Sequence, residues 1–184
     1  MGRWAATLPP MLPLLTTPRL VLRPALPSDT EAVWQLLVLP DVRRFLCDDK
    51  VLPRDVVAGI VAESLALAPG GMGMWMAEQA GAMIGLVSLK TMPQVLVDLI
   101  PALDGEAEPT IALHPDAWGQ GLAGEALSAV LAYGFRARAL PRIAAISDVP
   151  NAASAKMLAR AGFRRTGEHP GLHYRLFSWM LERP

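Results

Sequence analysis

The 184-residue sequence is poor in the residues that most often mark a specialised chain: one cysteine, three histidines, 6% aromatics and no excess of either charge. A lone Cys47 leaves no partner for an internal disulfide, which fits a cytoplasmic, reducing compartment. With 17 Lys and Arg against 17 Asp and Glu, the chain lacks the basic excess that phosphate-backbone binding needs, so no nucleic-acid partner is expected. His169 and His173 are separated by Pro170-Gly171, which prevents one helix from presenting both, and no metal site is expected. No stretch approaches the ~20 uninterrupted apolar residues of a membrane-spanning helix, so no membrane association is expected either. Met1 to Leu15, with Arg3 and many apolar residues, has the superficial look of a secretory leader. Pro9, Pro10 and Pro13 interrupt the apolar run, however, and no small-residue cleavage site follows. Residues 1–14 are therefore read as a loosely ordered lead-in to a single domain over 15–184. What the chain has in quantity is apolar surface, at 52% of residues, which suits a packed core and excludes a disordered chain. So few charges on so apolar a domain suggest that some surface is covered by a partner, and a homodimer is the simplest case.

Local patterns order the elements. Arg19 to Arg23 alternates polar and apolar residues as a half-buried strand, closed by Pro24. Ser28-Asp29-Thr30-Glu31 reads as a capping box ahead of a helix carrying Val33, Trp34, Leu36 and Leu37. Pro40 ends that helix, Asp41 to Leu46 forms a short turn of helix, and Pro53 to Leu67 is a third helical stretch stopped by Pro69-Gly70-Gly71. Met72 to Glu78 and Ala82 to Lys90 flank Gln79-Ala80-Gly81 as a hairpin. The segment 91–106 is apolar but bracketed by Pro93 and Pro101 and reads as a mixed insertion. Glu108 to Leu113 is a strand whose Pro109 suggests an edge or a bulge. Helix from Gly119 to Arg136, strand from Arg142 to Ser147, helix from Asn151 to Ala161 and two last strands complete an α+β domain on a mixed sheet.

The chemistry concentrates where a strand passes through a turn into a helix that opens on Gly and Ala, from Ile111 through Trp118-Gly119-Gln120-Gly121-Leu122-Ala123-Gly124. Free N–H groups at such a start, with the positive end of the helix dipole and no bulky side chains, suit a phosphate or pyrophosphate. A tight turn needing only the backbone freedom of Gly119 and Gly121 explains the same residues equally well. Gly119 to Gly124 also spells G-x-G-x-x-G. A dinucleotide fold needs its first Gly directly after the strand and an acidic residue ~20 positions on. Here His114 to Trp118 intervenes and Ala139 stands in the acidic place, so that reading fails.

Trp118-Gly119-Gln120-Gly121-Leu122-Ala123 with Glu125-Ala126 resembles the acyl-CoA signature of the GNAT N-acetyltransferases, in their RimJ/RimL-like branch. Thr17-Pro18-Arg19-Leu20-Val21-Leu22-Arg23, His114-Pro115-Asp116, and Asn151-Ala152-Ala153-Ser154 leading to Ala161-Gly162-Phe163 fit the same branch in order and spacing. The resemblance implies a mostly antiparallel mixed sheet with helices on both faces and a splayed parallel strand pair near Ile111 and Ile143. Acetyl-CoA would lie in that cleft as cosubstrate. Its pyrophosphate would meet the N–H groups of Gly119, Gln120, Gly121, Ala123 and Gly124. Its pantetheine would pair with the backbone of Ile111, Ala112 and Leu113, and Asn151 would hydrogen-bond the same arm. Arg136, Lys156 and Arg160 are either contacts for the outer phosphate or solvated helix charges.

Acetyl transfer to an amine needs a base, an oxyanion site and an acid for the departing sulfur. The resemblance offers Ser154 as that acid, where Leu158 stands in the place of another member's Tyr; a hydroxyl bonded to its own helix is the plain alternative. Glu108, at the start of the cleft-lining strand, is the base candidate, against the alternative of a solvated carboxylate beside Glu106. Burial there would raise its pKa into a useful range. Glu125, His114 and Cys47 read as structural. Trp118 and Pro109-Thr110-Ile111-Ala112 depart from the family pattern, and the insertion is expected either to narrow the acceptor pocket or to pack in a dimer. The reading is acetyl transfer from acetyl-CoA to a primary amine, a protein N-terminus or a small molecule, by direct attack in a ternary complex. The alternatives are a catalytically idle acyl-CoA-binding or sensing module and a protein that uses its apolar surface to interact.

Overall fold

The computed structural model describes residues 12–184. Residues 1–11 of the expected lead-in lie outside the described residues. Its last residues are firmly held: Leu12 is 4% exposed within the main core, and the Pro13 carbonyl accepts the Trp75 indole N–H at 2.7 Å. The packed chain thus begins before residue 15.

Strands β1 (Leu15–Thr16), β2 (Val21–Pro24), β3 (Gly73–Gln79), β4 (Ala82–Thr91) and β5 (Ala107–Leu113) form an antiparallel sheet in that order. In the β3–β4 hairpin, Gln79 pairs with Ala82 across Ala80 (φ 50°) and Gly81 (φ 80°). Two positive-φ residues give a turn whose hand matches the twist of the strands it joins. The remaining strands, β6 (Arg142–Asp148), β7 (Arg164–His169) and β8 (Leu176–Glu182), form a second antiparallel sheet in the order β6-β8-β7.

The mixed sheet is divided between β5 and β6, the strands expected to splay, which lie side by side without a ladder. Two contacts fix their relative direction. Arg142 Nε donates to Glu106 Oε1 at 2.8 Å where both strands begin, and the Ile146 N–H donates to the Glu108 carboxylate further on. The partners advance in the same sense along both strands, so the pair is parallel, as expected, and unzipped at the level of main-chain hydrogen bonds. Pro109 costs nothing at this edge. Gly85 faces Leu113 and His114 N–H donates to the Ile84 carbonyl at 2.8 Å, so odd-numbered β5 residues turn their N–H and C=O away from β4. A proline at such a position removes no ladder bond, and the register shows no bulge there.

Helices cover both faces. On one, α1 (Thr30–Leu37), α2 (Pro40–Leu46) and α3 (Arg54–Leu67) bring Val33, Leu36, Val57 and Val61 against Met74, Met76, Leu86 and Ala112. On the other, α5 (Leu122–Arg136) sets Leu122, Ala126, Leu127 and Val130 against Trp75, Val87, Leu89 and Ile143, and α6 (Ala152–Arg160) adds Leu158. Each fully buried leucine of α5 contributes roughly 2 kcal/mol.

One local expectation is corrected. The capping box does not form. Pro27–Asp29 is a 3-10 turn, and the Asp29 carboxylate takes the Leu26 N–H at 2.7 Å and both Arg23 Nη atoms at 2.7 and 2.8 Å, while Glu31 pairs with Arg54 at 3.0 Å. With α1 starting at Thr30 and Asp29 at its cap position, Ser28 falls in the preceding turn and Glu31 is drawn to a guanidinium instead. The insertion forms α4 (Gln94–Leu99) and a 3-10 turn, Pro101–Leu103. Met92, Val97, Ile100 and Leu103 pack on Ala144 of β6, with Met180 of β8 alongside. These four side chains are buried on the face of the second sheet away from α5, while Val95 stays 50% exposed.

Candidate active site

Between β5 and α5 the chain makes a 3-10 turn, Pro115–Ala117, capped by His114, whose Nδ1 accepts the Asp116 N–H at 3.3 Å. His114 is structural, as expected. Gly119 (φ 73°) and Gly121 (φ 77°) then adopt left-handed backbone that side-chain-bearing residues resist. Glu125 donates the first helical bond, to Gly121 O at 3.1 Å. The N–H groups of Gly119, Gln120, Gly121, Ala123 and Gly124 therefore precede any intrahelical acceptor, and among the described residues none has a hydrogen-bond acceptor. They stand on an exposed rim, where added Cβ atoms at Gly119 and Gly124 would meet nothing.

The open edge of β5 lies beside this rim. Ile111 and Leu113 direct their main-chain groups outward, whereas the register turns those of Ala112 to Leu86 of β4. Of the three residues expected to pair with the donor's arm, Ala112 is thus placed to contribute packing only. The Leu113 carbonyl already accepts the Trp118 indole N–H at 2.8 Å, leaving its N–H free. This bond is also the local reason for Trp118: half-exposed, it folds back over the strand end and braces the turn. Asn151 caps α6, its Oδ1 accepting the Ser154 N–H at 3.1 Å. The cap occupies the carbonyl oxygen and leaves the amide NH2 as a free donor.

The Ser154 hydroxyl, half-buried in the first turn of α6, makes no hydrogen bond among the described residues. Ser128 of α5, by contrast, bonds back to Gly124 O at 2.8 Å. Arg136, Lys156 and Arg160 are exposed on helix surfaces.

Glu108 is 7% exposed and lies on the face of β5 that carries Ala112, away from α5. Burial pushes its pKa up to about 7, against the pull of Lys90, its cross-strand partner, and of the Ile146 N–H. The solvated strand-end alternative does not describe Glu108, and its neighbour Glu106 is itself largely covered and paired with Arg142. Two residues beyond Ile146 on the same face, Asp148 is raised to about 6 by burial and by the charge of Asp48, with His173 opposing. The meeting of Asp148 with Asp48 and His173 is not legible in the sequence, where His173 is weighed only with His169 as a metal pair, because only the fold brings residues this distant together.

Glu125 proves structural and more connected than its helix position suggests. Its carboxylate is held below the usual range chiefly by the Thr17 hydroxyl, then by Arg19. Cys47 is half-buried, and burial together with Asp48 pushes its thiol pKa up, so it stays protonated and a poor nucleophile. His169 meets Ser178 at 2.9 Å and His173 packs edge-on against Tyr174.

The family profile of the acetyltransferase (GNAT) domain matches residues 19–164, the span from β2 through the Gly-rich helix start to β7. The chain belongs to the GNAT acetyltransferases. This GNAT protein is 28% identical over 160 residues, 85% of its own length and 86% of the relative's, to the uncharacterized N-acetyltransferase YoaA of Bacillus subtilis. Among solved structures it shares its fold with RimL, the ribosomal L7/L12 α-N-protein acetyltransferase, solved with coenzyme A. That pair aligns at TM-score 0.73 and 20% identity over 94% of this chain and 97% of the other. It also shares it with yncA from Salmonella typhimurium, solved with its cofactor acetyl-CoA, at TM-score 0.71 and 19% identity over 90% and 94% of the two chains. Among the described residues, no helix of this GNAT enzyme is long and apolar enough to cross a membrane.

Proposed function

We propose that this GNAT enzyme transfers the acetyl group of acetyl-CoA to a primary amine by direct attack within a ternary complex. The observation that carries the reading is the row of acceptor-free N–H groups from Gly119 to Gly124 beside the unzipped edge of β5. A pyrophosphate satisfies those donors at the positive end of α5, which no protein group among the described residues does. The outward groups of Ile111 and the Leu113 N–H are then in place to take an extended amide-bearing arm as a strand would be taken. The free NH2 of Asn151 supplies a further donor from the neighbouring helix.

The chemistry is assigned to two groups, the buried Glu108 carboxyl and the Ser154 hydroxyl. The amine nitrogen attacks the thioester carbonyl carbon, forming a C–N bond and a tetrahedral oxyanion. Glu108, directly or through a water, accepts the proton that the nitrogen sheds; a base with a pKa near the working pH combines availability with driving force. The C–S bond then breaks, and the leaving thiolate takes the Ser154 proton as the hydroxyl recovers one from water. A main-chain N–H at the outward edge of β5 holds the oxyanion. The acceptor approaches from the face of Glu108 and Asp148, opposite α5, where carboxylates favour a cationic ammonium before it loses its proton. A protein N-terminus, as in the activity for which RimL is named, and a small amine both satisfy this chemistry.

The test is an amine panel, N-terminal peptides alongside small primary amines, with acetyl-CoA and detection of both free thiol and acetylated product. Acetylated amine in stoichiometric balance with released thiol supports the reading. Thiol release without acetylated product for every amine, or neither, speaks against it.

A further inference from the structure

Thr17 and Arg19 lie more than a hundred positions from Glu125 in the chain, yet the three meet beneath the Gly-rich start of α5. Glu125 Oε1 accepts the Thr17 hydroxyl at 2.6 Å and the Arg19 N–H at 2.8 Å, and Oε2 accepts Arg19 Nε at 2.6 Å. The same guanidinium donates through Nη1 to the Gln120 carbonyl at 2.9 Å. From its other end the Gln120 side chain reaches the Asp116 carbonyl, also at 2.9 Å. One guanidinium thus ties the first turn of α5 to the loop in front of it.

That tie has a directional consequence. In a trans peptide the carbonyl and the following N–H point in opposite directions. Holding the Gln120 carbonyl on Arg19 therefore turns the Gly121 N–H to the opposite, open side of the loop. The arrangement also answers an electrostatic problem. A carboxylate in the first turn favours the helix dipole but repels a bound dianion, and here the carboxylate is saturated with donors and paired with a guanidinium.

We infer that Thr17, Arg19 and Glu125 act as a latch that presets the phosphate-binding loop, with Arg19 and Glu125 as positioning residues for the pyrophosphate of the acyl donor. The inference rests on the proposed use of acetyl-CoA and adds what makes the loop competent before the donor arrives. The latch residues touch the loop and not the donor.

The experiment titrates the full chain and its Arg19→Met, Glu125→Gln and double variants with coenzyme A, with the melting temperature of each ligand-free protein measured alongside. Each single variant is expected to bind about tenfold more weakly, an order-of-magnitude loss of the kind a misdirected charge-assisted contact gives. The double variant is expected to bind no more weakly than the worse single one, because both remove the same unit. In 31P spectra at saturation, the two pyrophosphate resonances are expected to move toward their free positions while the 3′-phosphate resonance stays. Arg19→Lys keeps the charge without the fork; it is expected to keep the wild-type melting temperature and still lose affinity. Affinities within twofold of wild type in the folded variants would overturn the latch. So would additive losses, or a 3′-phosphate resonance that moves with the others. Failure of the wild-type protein to bind coenzyme A at all would instead remove the proposed function on which the latch rests.

Discussion

Glu108 carries the sharpest expectations at the scale of single residues. A carboxyl whose folded pKa is raised to about 7 binds its proton more tightly in the native than in the unfolded chain. Its neutral form is thus compatible with burial, and ionisation costs stability as pH rises from the ordinary carboxylate range through about 7. Glu108→Gln is expected to melt close to wild type at pH 5 and several degrees above it at pH 8, read by calorimetry at both values. The same substitution is expected to lower kcat by roughly 100-fold or more and to abolish the rise of activity with pH through neutrality. A Gln variant that keeps the wild-type pH profile would move the base elsewhere, Asp148 being the other carboxyl on that face with a raised pKa. Ser154→Ala separates the acid from the cap: a fall in kcat with little change in KM or melting temperature is expected, since the cap uses the Ser154 N–H and not its hydroxyl.

Elements were legible wherever a local pattern determined them. The hairpin, the long helix α5 and the strand–turn–helix that carries the phosphate loop follow from turn residues and apolar periodicity within one short window. What could not be read is what depends on distant partners. Ser28 and Glu31 spell a capping box, but Arg23 and Arg54 claim the carboxylates nearby. Glu125 reads only as a structural carboxylate, because nothing near it in the chain announces Thr17 or Arg19. The insertion 92–106 has no clear period of its own, since its apolar residues answer to Ala144 and Met180. At this scale Asn151→Ala is expected to cost about 1 kcal/mol of stability through the lost cap and to weaken coenzyme A binding as well. Asn151→Asp keeps an oxygen for the cap but loses the NH2. It is expected to restore stability without restoring affinity, a split that denaturant melts and titration together resolve.

For the whole molecule, the division of the sheet between β5 and β6 is the central architectural fact, because it leaves an outward strand edge where an unbroken sheet would have hidden it. Cores on both faces hold the two halves in place, the larger one running from Leu12 and Trp75 through α5 to Ile143 and Trp179. Leu127→Ala, at its centre and fully buried, is expected to cost about 2–5 kcal/mol, measured by urea unfolding. The insertion belongs to the same architecture. Replacing Val97 and Ile100 with serine is expected to lower the melting temperature by opening the face of β6 and β8. No change in stability would place that segment outside the fold. All of these arrangements converge on one claim, that a donor's pyrophosphate lands on the loop before α5. An amide 1H–15N spectrum of the labelled protein, recorded as coenzyme A is added, tests it most directly. The resonances of Gly119, Gln120, Gly121, Ala123 and Gly124 are expected to shift together and farther than those of α1 or β7. Binding that leaves these amides in place while others move would contradict the account.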